Sequence, residues 1–247
     1  MPKDLLAHSM NANPMNVLYE DNHIIVVAKA AGEIVQGDKT GDAPLTDAVK
    51  AYIKERYAKP GAVFLGVPHR LDRPVSGVVV LARTSKALAR LNEMFRSGKV
   101  RKTYHAIVKK PVPVAGSSVA PVEREVLLTH WLTRNERQNK AYAHTREVPG
   151  SKRAELDYRI LAHSDRYSLL EVHLHTGRHH QIRCQLAAVG LPIKGDLKYG
   201  SPRSNPDGSI CLHARSVAFE HPVSHKEIFV EAPYPEENSW HIFAESI

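Results

Sequence analysis

Apolar residues in this chain come in short runs whose period switches between two and nearly four. Val17-Leu18-Tyr19, the polar Glu20-Asp21-Asn22 and then His23 to Val27 read as strand, turn, strand, a hairpin. Leu45, Ala48, Val49 and Ile53 fall at helical spacing, which predicts a helix from Leu45 to Tyr57, stopped before Lys59-Pro60-Gly61. Val78-Val79-Val80-Leu81 is a continuous apolar run and reads as a buried strand. Thr84-Ser85 can cap a second helix with Ala87, Leu88, Leu91, Met94 and Phe95 on its apolar side and Gly98 at its end. Thr103 to Val108 alternates as a strand, and residues 111–120 form a turn-rich connector. Further strands are predicted at about 124–132, 140–145, 153–162 and 166–175. A helix follows from near His179, with Ile182, Leu186 and Val189 a turn apart and Gly190 as its stop. A Ser, Pro, Asn and Gly loop covers 201–209, and the last strands lie near 211–219 and 226–231. Strands dominate and many neighbours can pair as hairpins. The fold class is therefore α+β with a mixed, mostly antiparallel sheet.

With 247 residues the chain is long enough for a real core. Residues 1–15 read as a loose polar tail and 16–247 as one catalytic-sized domain. The start of the chain lacks the apolar stretch of a signal peptide, and no run approaches the ~20 apolar residues needed to cross a bilayer. Cys184 and Cys211 are the two cysteines, too few for a disulfide framework, although one bridge between them stays open. The expectation is a cytoplasmic protein with no membrane partner.

Charge changes this picture once it is located. The net charge is +8, yet residues 69–110 alone hold eleven Lys and Arg against Asp72 and Glu93. The rest of the chain is almost neutral. Such an excess in one segment points to a polyanion, with nucleic acid the first candidate, or to a solvated helix face. Arg70, Arg73, Arg96, Lys99, Arg101 and Lys102 are the candidate contacts in this segment.

Three stretches could carry chemistry. His69-Arg70-Leu71-Asp72-Arg73-Pro74-Val75-Ser76-Gly77 places a carboxylate on a loop feeding the buried strand. A rigid scaffold holding a loop is a common way to present a reactive group, though a solvated Arg-Asp-Arg ion pair would look the same. Tyr104 in Arg101-Lys102-Thr103-Tyr104 could stack on a base, or be a half-buried strand tyrosine. His175 to Arg183 joins a strand to a helix N-terminus, where free N–H groups and Arg178 and Arg183 suit an anion. His173, His175, His179 and His180, with Asp72 or Asp196, could instead ligate a metal in a phosphodiesterase, but they match no metal-binding spacing.

In order and spacing, H-R-L-D-R-P-V-S-G (69–77), R-K-T-Y (101–104) and T-G-R-H-H-Q-I-R (176–183) resemble the motifs of RluA-type RNA pseudouridine synthases. Leu18 to Asp21, Leu191 to Asp196 with Tyr199-Gly200, and Leu212-His213-Ala214 with His221-Pro222 support the resemblance, which runs from about residue 16 to 231. It implies a pseudouridine synthase fold, a central mixed sheet split by a basic cleft. It also implies isomerisation of a flipped-out uridine in structured rRNA or tRNA, with no cofactor and no metal. Asp72 would be the catalytic carboxylate, Arg183 its partner and Tyr104 the residue stacked on the base and assisting proton loss from carbon 5. Arg70 would fill the gap left by the extruded nucleotide, while Arg178 and His180 would join the RNA contacts. A non-catalytic RNA-binding or chaperone protein of the same fold is the alternative.

The chain departs from the family pattern at Lys29-Ala30-Ala31-Gly32, where a proline is usual, at Pro74-Val75 and at His179. None of these removes a reactive group. The expectation includes no separate N-terminal RNA-binding domain, a monomer, and substrate choice set by inserts at 111–121 and 201–209.

Overall fold

The computed structural model describes residues 16–38, 40–110, 124–237 and 239–243. The expected tail at 1–15 and the connector at 111–121 lie outside them. Ten strands form one sheet: β1 (Val17–Glu20), β2 (Ile24–Lys29), β3 (Ser76–Ala82), β4 (Arg101–Lys109), β5 (Val126–Asn135), β6 (Lys140–His144), β7 (Lys152–His163), β8 (Tyr167–Leu174), β9 (Leu212–Glu220) and β10 (Glu227–Glu231). Three helices accompany them: α1 (Leu45–Arg56), α2 (Ser85–Arg96) and α3 (Gln181–Ala188). The sheet order is β1-β2-β3-β9-β4-β8-β7-β5-β6, with β10 against β9. Every pairing is antiparallel except β3 with β9.

The unbroken apolar runs of β2 and β3 follow from burial on both faces. Ile25, Val27, Val79 and Leu81 pack on one side with Leu45, Val49 and Ile53 of α1. Ile24, Val26, Val78 and Val80 pack on the other with Ala87 and Leu91 of α2. A strand covered by a helix on each face has no polar side to show, so alternation disappears.

The two halves of the sheet meet at a narrow seam. β3 and β9 share only the pairs Ser76 with His213 and Gly77 with Ala214. The Ser76 hydroxyl and His213 Nδ1 lie 2.8 Å apart across it. At Gly77 φ is +120°, and a Cβ would sit 2.3 Å from the carbonyl oxygen of Ala214, so only glycine lets the strands approach. Beyond the seam β3 diverges from β9, and its N–H groups take other partners. Val80 N–H donates to His69 Nε2 at 2.9 Å, and Ala82 N–H donates to the Gly66 carbonyl at 2.9 Å. The expected cleft opens where the halves part.

α3 departs from the sequence expectation. It begins at Gln181, because His180 is left-handed at φ 51°. Val189 is 40% exposed and lies outside the buried face, contrary to its predicted role. Six consecutive residues, Gln181 to Leu186, are buried instead. Ile182 and Leu186 are buried as expected, but a helix enclosed over most of its surface carries no clear period that would mark its end. Cys184 and Cys211 are both buried and free, so no bridge joins them.

Candidate active site

The loop before β3 holds its backbone with little freedom. Asp72 C=O accepts Val75 N–H at 3.0 Å, Arg73 C=O accepts Gly32 N–H at 2.8 Å, and Pro74 C=O accepts Ile210 N–H at 3.1 Å. Lys29 ends β2 as a buried lysine, and its Nζ donates to Arg73 C=O at 3.2 Å and Val75 C=O at 2.6 Å. Burial lowers Lys29 to about 8, against the pull of Glu33 and Asp72. Four successive carbonyls are thereby fixed, and the Asp72 side chain projects from a clamped turn.

Asp72 Oδ2 lies 3.0 Å from Arg183 Nη1 and 3.4 Å from His180 Nε2. Both contacts fall on one oxygen, so Oδ1 is the oxygen left for a ligand. Arg183 in turn gives Nε to Asp196 Oδ2 at 2.7 Å and Nη2 to Asp196 Oδ1 at 2.9 Å, a two-pronged pair inside the protein. Burial would lower Arg183, but Asp196 and then Asp72 outweigh it and raise its pKa. One guanidinium thus bridges two carboxylates, and the buried one, 1% exposed, orients it toward the other.

His180 completes the arrangement from its left-handed position. The Tyr199 hydroxyl accepts Ala141 N–H at 2.8 Å and lies 2.9 Å from His180 Nδ1. The other ring nitrogen, Nε2, faces Asp72. Burial drives His180 down to about 3, against the opposing pull of Asp72, so the ring is neutral at ordinary pH. Tyr199 also stands 5.1 Å from the Arg183 guanidinium carbon.

Around this centre lies a cavity of about 560 Å³ that Arg70, Asp72, Lys102, Tyr104, Arg178 and Arg183 help to line. Val75, Ile182 and Leu212 give it apolar walls, and Phe95 and Arg96 enter from α2. Phe95 is held by His69, whose ring stacks on it at 4.4 Å while capping β3. Burial pushes His69 down to about 3, which keeps it an acceptor. Tyr104 is buried, and burial, then the Asp72 charge, raise its hydroxyl pKa far above normal.

Not all sequence candidates converge. Arg70, Arg96, Lys102 and Arg178 line the cavity. Arg73 turns away to Asp42 at 2.6 Å and Thr40 at 2.7 Å, and Arg101 pairs with Glu227 of β10. Lys99 is exposed on the turn after α2 and does not line the cavity. His180 is buried beside Asp72 and lines the cavity with it. The suggested metal set also separates. His173 and His175 bind Asp157 at 2.8 and 2.6 Å, His179 stacks on His180 at 3.8 Å, and Asp196 is taken by Arg183. Sequence reasoning missed Arg134, which lines the cavity, and the supporting roles of Lys29, Asp196 and Tyr199. Lys29 carried a usable signal, a lysine directly continuing an apolar strand.

Residues 23–188 match the family described as RNA pseudouridylate synthase. The chain belongs to that family. It is 34% identical over 238 residues to the ribosomal large subunit pseudouridine synthase D of Xanthomonas campestris, covering 91% of this chain and 67% of that one. The corresponding protein of Xylella fastidiosa is 33% identical over 238 residues, again 91% of this chain and 67% of that one. Among solved structures, human RNA pseudouridylate synthase domain containing 4 superposes with a TM-score of 0.70 at 23% identity, covering 90% of this chain and 89% of that one, which shows the shared fold. As a member of the family the chain is an RNA pseudouridine synthase, an isomerase of uridine in RNA. Among the described residues no helix is long and apolar enough to cross a membrane.

Proposed function

We propose that Asp72 is the catalytic residue of this isomerase. The observation that carries the reading is its single unshared oxygen, set at the cavity and held by the Arg183 and Asp196 pair. Isomerisation breaks the bond from N1 of uracil to C1′ of the ribose, turns the base, and joins C5 to C1′; the C5 proton is lost and N1 gains one. Asp72 supplies negative charge at the sugar when the first bond breaks. Arg183 keeps that carboxylate charged and aimed. Burial of Tyr104 supports stacking on the base over removal of the C5 proton, since its raised pKa keeps the phenol protonated. Arg70, Arg96, Lys102 and Arg178 bind the flanking phosphates, and Arg70, exposed at the rim, fills the gap left by the flipped nucleotide.

The RNA is that of the large ribosomal subunit, a reading supported by the names of the relatives above. The protein works as a cytoplasmic monomer, in keeping with its two buried free thiols. The deciding test is tritium release from rRNA labelled at C5 of uridine, taken from a strain lacking the gene and assayed in EDTA. Release by wild type with none from Asp72→Asn, at unchanged RNA affinity, is expected. Near-normal turnover by Asp72→Asn would overturn the assignment, and RNA binding without any release would favour the non-catalytic alternative.

A further inference from the structure

A second cavity, of about 960 Å³, lies away from the catalytic one. It is walled by the end of β4, the β7–β8 turn, the turn after α3 and the loop at 200–205. Its lining holds Lys109, Lys110, Arg166, Lys194 and Arg203 against one acid, Asp165. Lys109, Arg166 and Arg203 are exposed and make no ion pair among the described residues, whereas Arg73, Arg101, Arg153 and Arg215 each carry a carboxylate. Lys194 is fixed in place. Its Nζ donates to Oδ1 of the buried Asn205 at 2.7 Å and stands 5.9 Å from the Tyr167 ring. Asn205 is anchored in turn by Ser209 Oγ at 3.3 Å. Unpaired cations around a held one, with almost no acid nearby, suit several phosphates on one chain.

We propose that this groove is a second RNA-backbone site, engaging phosphates of the same substrate away from the target uridine. The inference rests on the RNA substrate read above. Lys109 is five residues from Tyr104 along β4, so the two sites are about 16 Å apart along the strand. One folded RNA can span that gap, while a trinucleotide in the catalytic cavity cannot. The groove would therefore select long, structured RNA without touching the reaction.

The test compares wild type with the triple variant Lys109→Ala, Arg166→Ala, Arg203→Ala, all exposed positions whose truncation leaves the core intact. With C5-labelled rRNA, KM is expected to rise about tenfold or more at low salt with kcat unchanged, and the slope of log Kd against log salt to fall by about 2 to 3. Binding of a uridine trinucleotide is expected to stay the same. Unchanged rRNA affinity and salt slope would overturn the proposal, and so would an equal loss with the trinucleotide, which would mark a general field effect. Lost binding to phosphatidylglycerol vesicles with rRNA binding intact would overturn it too and reassign the groove to a lipid surface. If wild type binds rRNA but releases no tritium, the functional reading fails while the salt slope still judges the groove.

Discussion

Arg183 and the cations at the cavity rim carry the same charge under opposite conditions. Arg183 is buried, with every polar contact inside the protein, two of them to Asp196 and one to Asp72. Arg70 and Arg178 are exposed and line the cavity with no carboxylate partner among the described residues. A buried cation without partners would cost several kcal/mol, so the interior position demands its carboxylates. An exposed cation costs little when unpaired and stays available to a ligand anion. The difference teaches that the centre is held to one geometry while the rim leaves these two cations free of carboxylate partners. Arg73 and Arg101 show why charge in a segment is not charge in a site, since each already has a carboxylate and neither lines the cavity.

The largest effect that could break this contrast is Asp72→Asn. Turnover in the tritium assay is expected to fall at least about a thousandfold, with RNA affinity within a factor of about two by filter binding. Loss of affinity in parallel would mean that the centre also binds, and the contrast would blur.

Removal of the hidden partner comes next. Asp196→Ala leaves Arg183 short of its main counter-ion and is expected to destabilise the fold by about 3–5 kcal/mol in denaturant unfolding. A cost under about 1 kcal/mol would show that the pair is not structural. Gly77→Ala, at the seam that sets the two halves of the sheet, should cost about 3 kcal/mol by strain and overlap with Ala214.

At the rim, Arg70→Ala with Arg178→Ala is expected to weaken RNA binding and reduce the salt slope by about 1.4 to 1.8, with the melting temperature unchanged. An unaltered slope would remove these two from the phosphate contacts.

A smaller effect separates the neutral histidines from the charged centre. Folding lowers His69 and His180 to about 3 and His105 and His213 to about 4, with burial the first cause in each. Below their unfolded value near 6.5 the unfolded chain takes up protons that the folded one refuses. Stability is therefore full above about pH 6.5 and drains as pH falls toward 4 and then 3. Melting curves across that range should show the fall, and His213→Gln should make it shallower between about pH 6.5 and 4. A flat profile in wild type would contradict the buried neutral rings.

By itself the sequence determined the elements and the candidate groups. Alternation and helical spacing located the strands and helices to within a few residues, because those periods are local. The nine-residue loop, the buried run after it and the three spaced motifs singled out Asp72, Tyr104 and Arg183. What only the tertiary structure decided depends on contacts distant in the chain. Lys29 reaches the catalytic loop across 44 and 46 residues, and Asp72 meets Arg183 across 111. Asp196 and Tyr199 stand out in the sequence as part of a family motif, but their partners, Arg183 and His180, appear only once α3 is packed beside them. Only the fold could sort the basic segment into cations that pair with carboxylates and cations left unpaired. A side chain's type is written locally, but its partner is set by which strands pair and which face is buried.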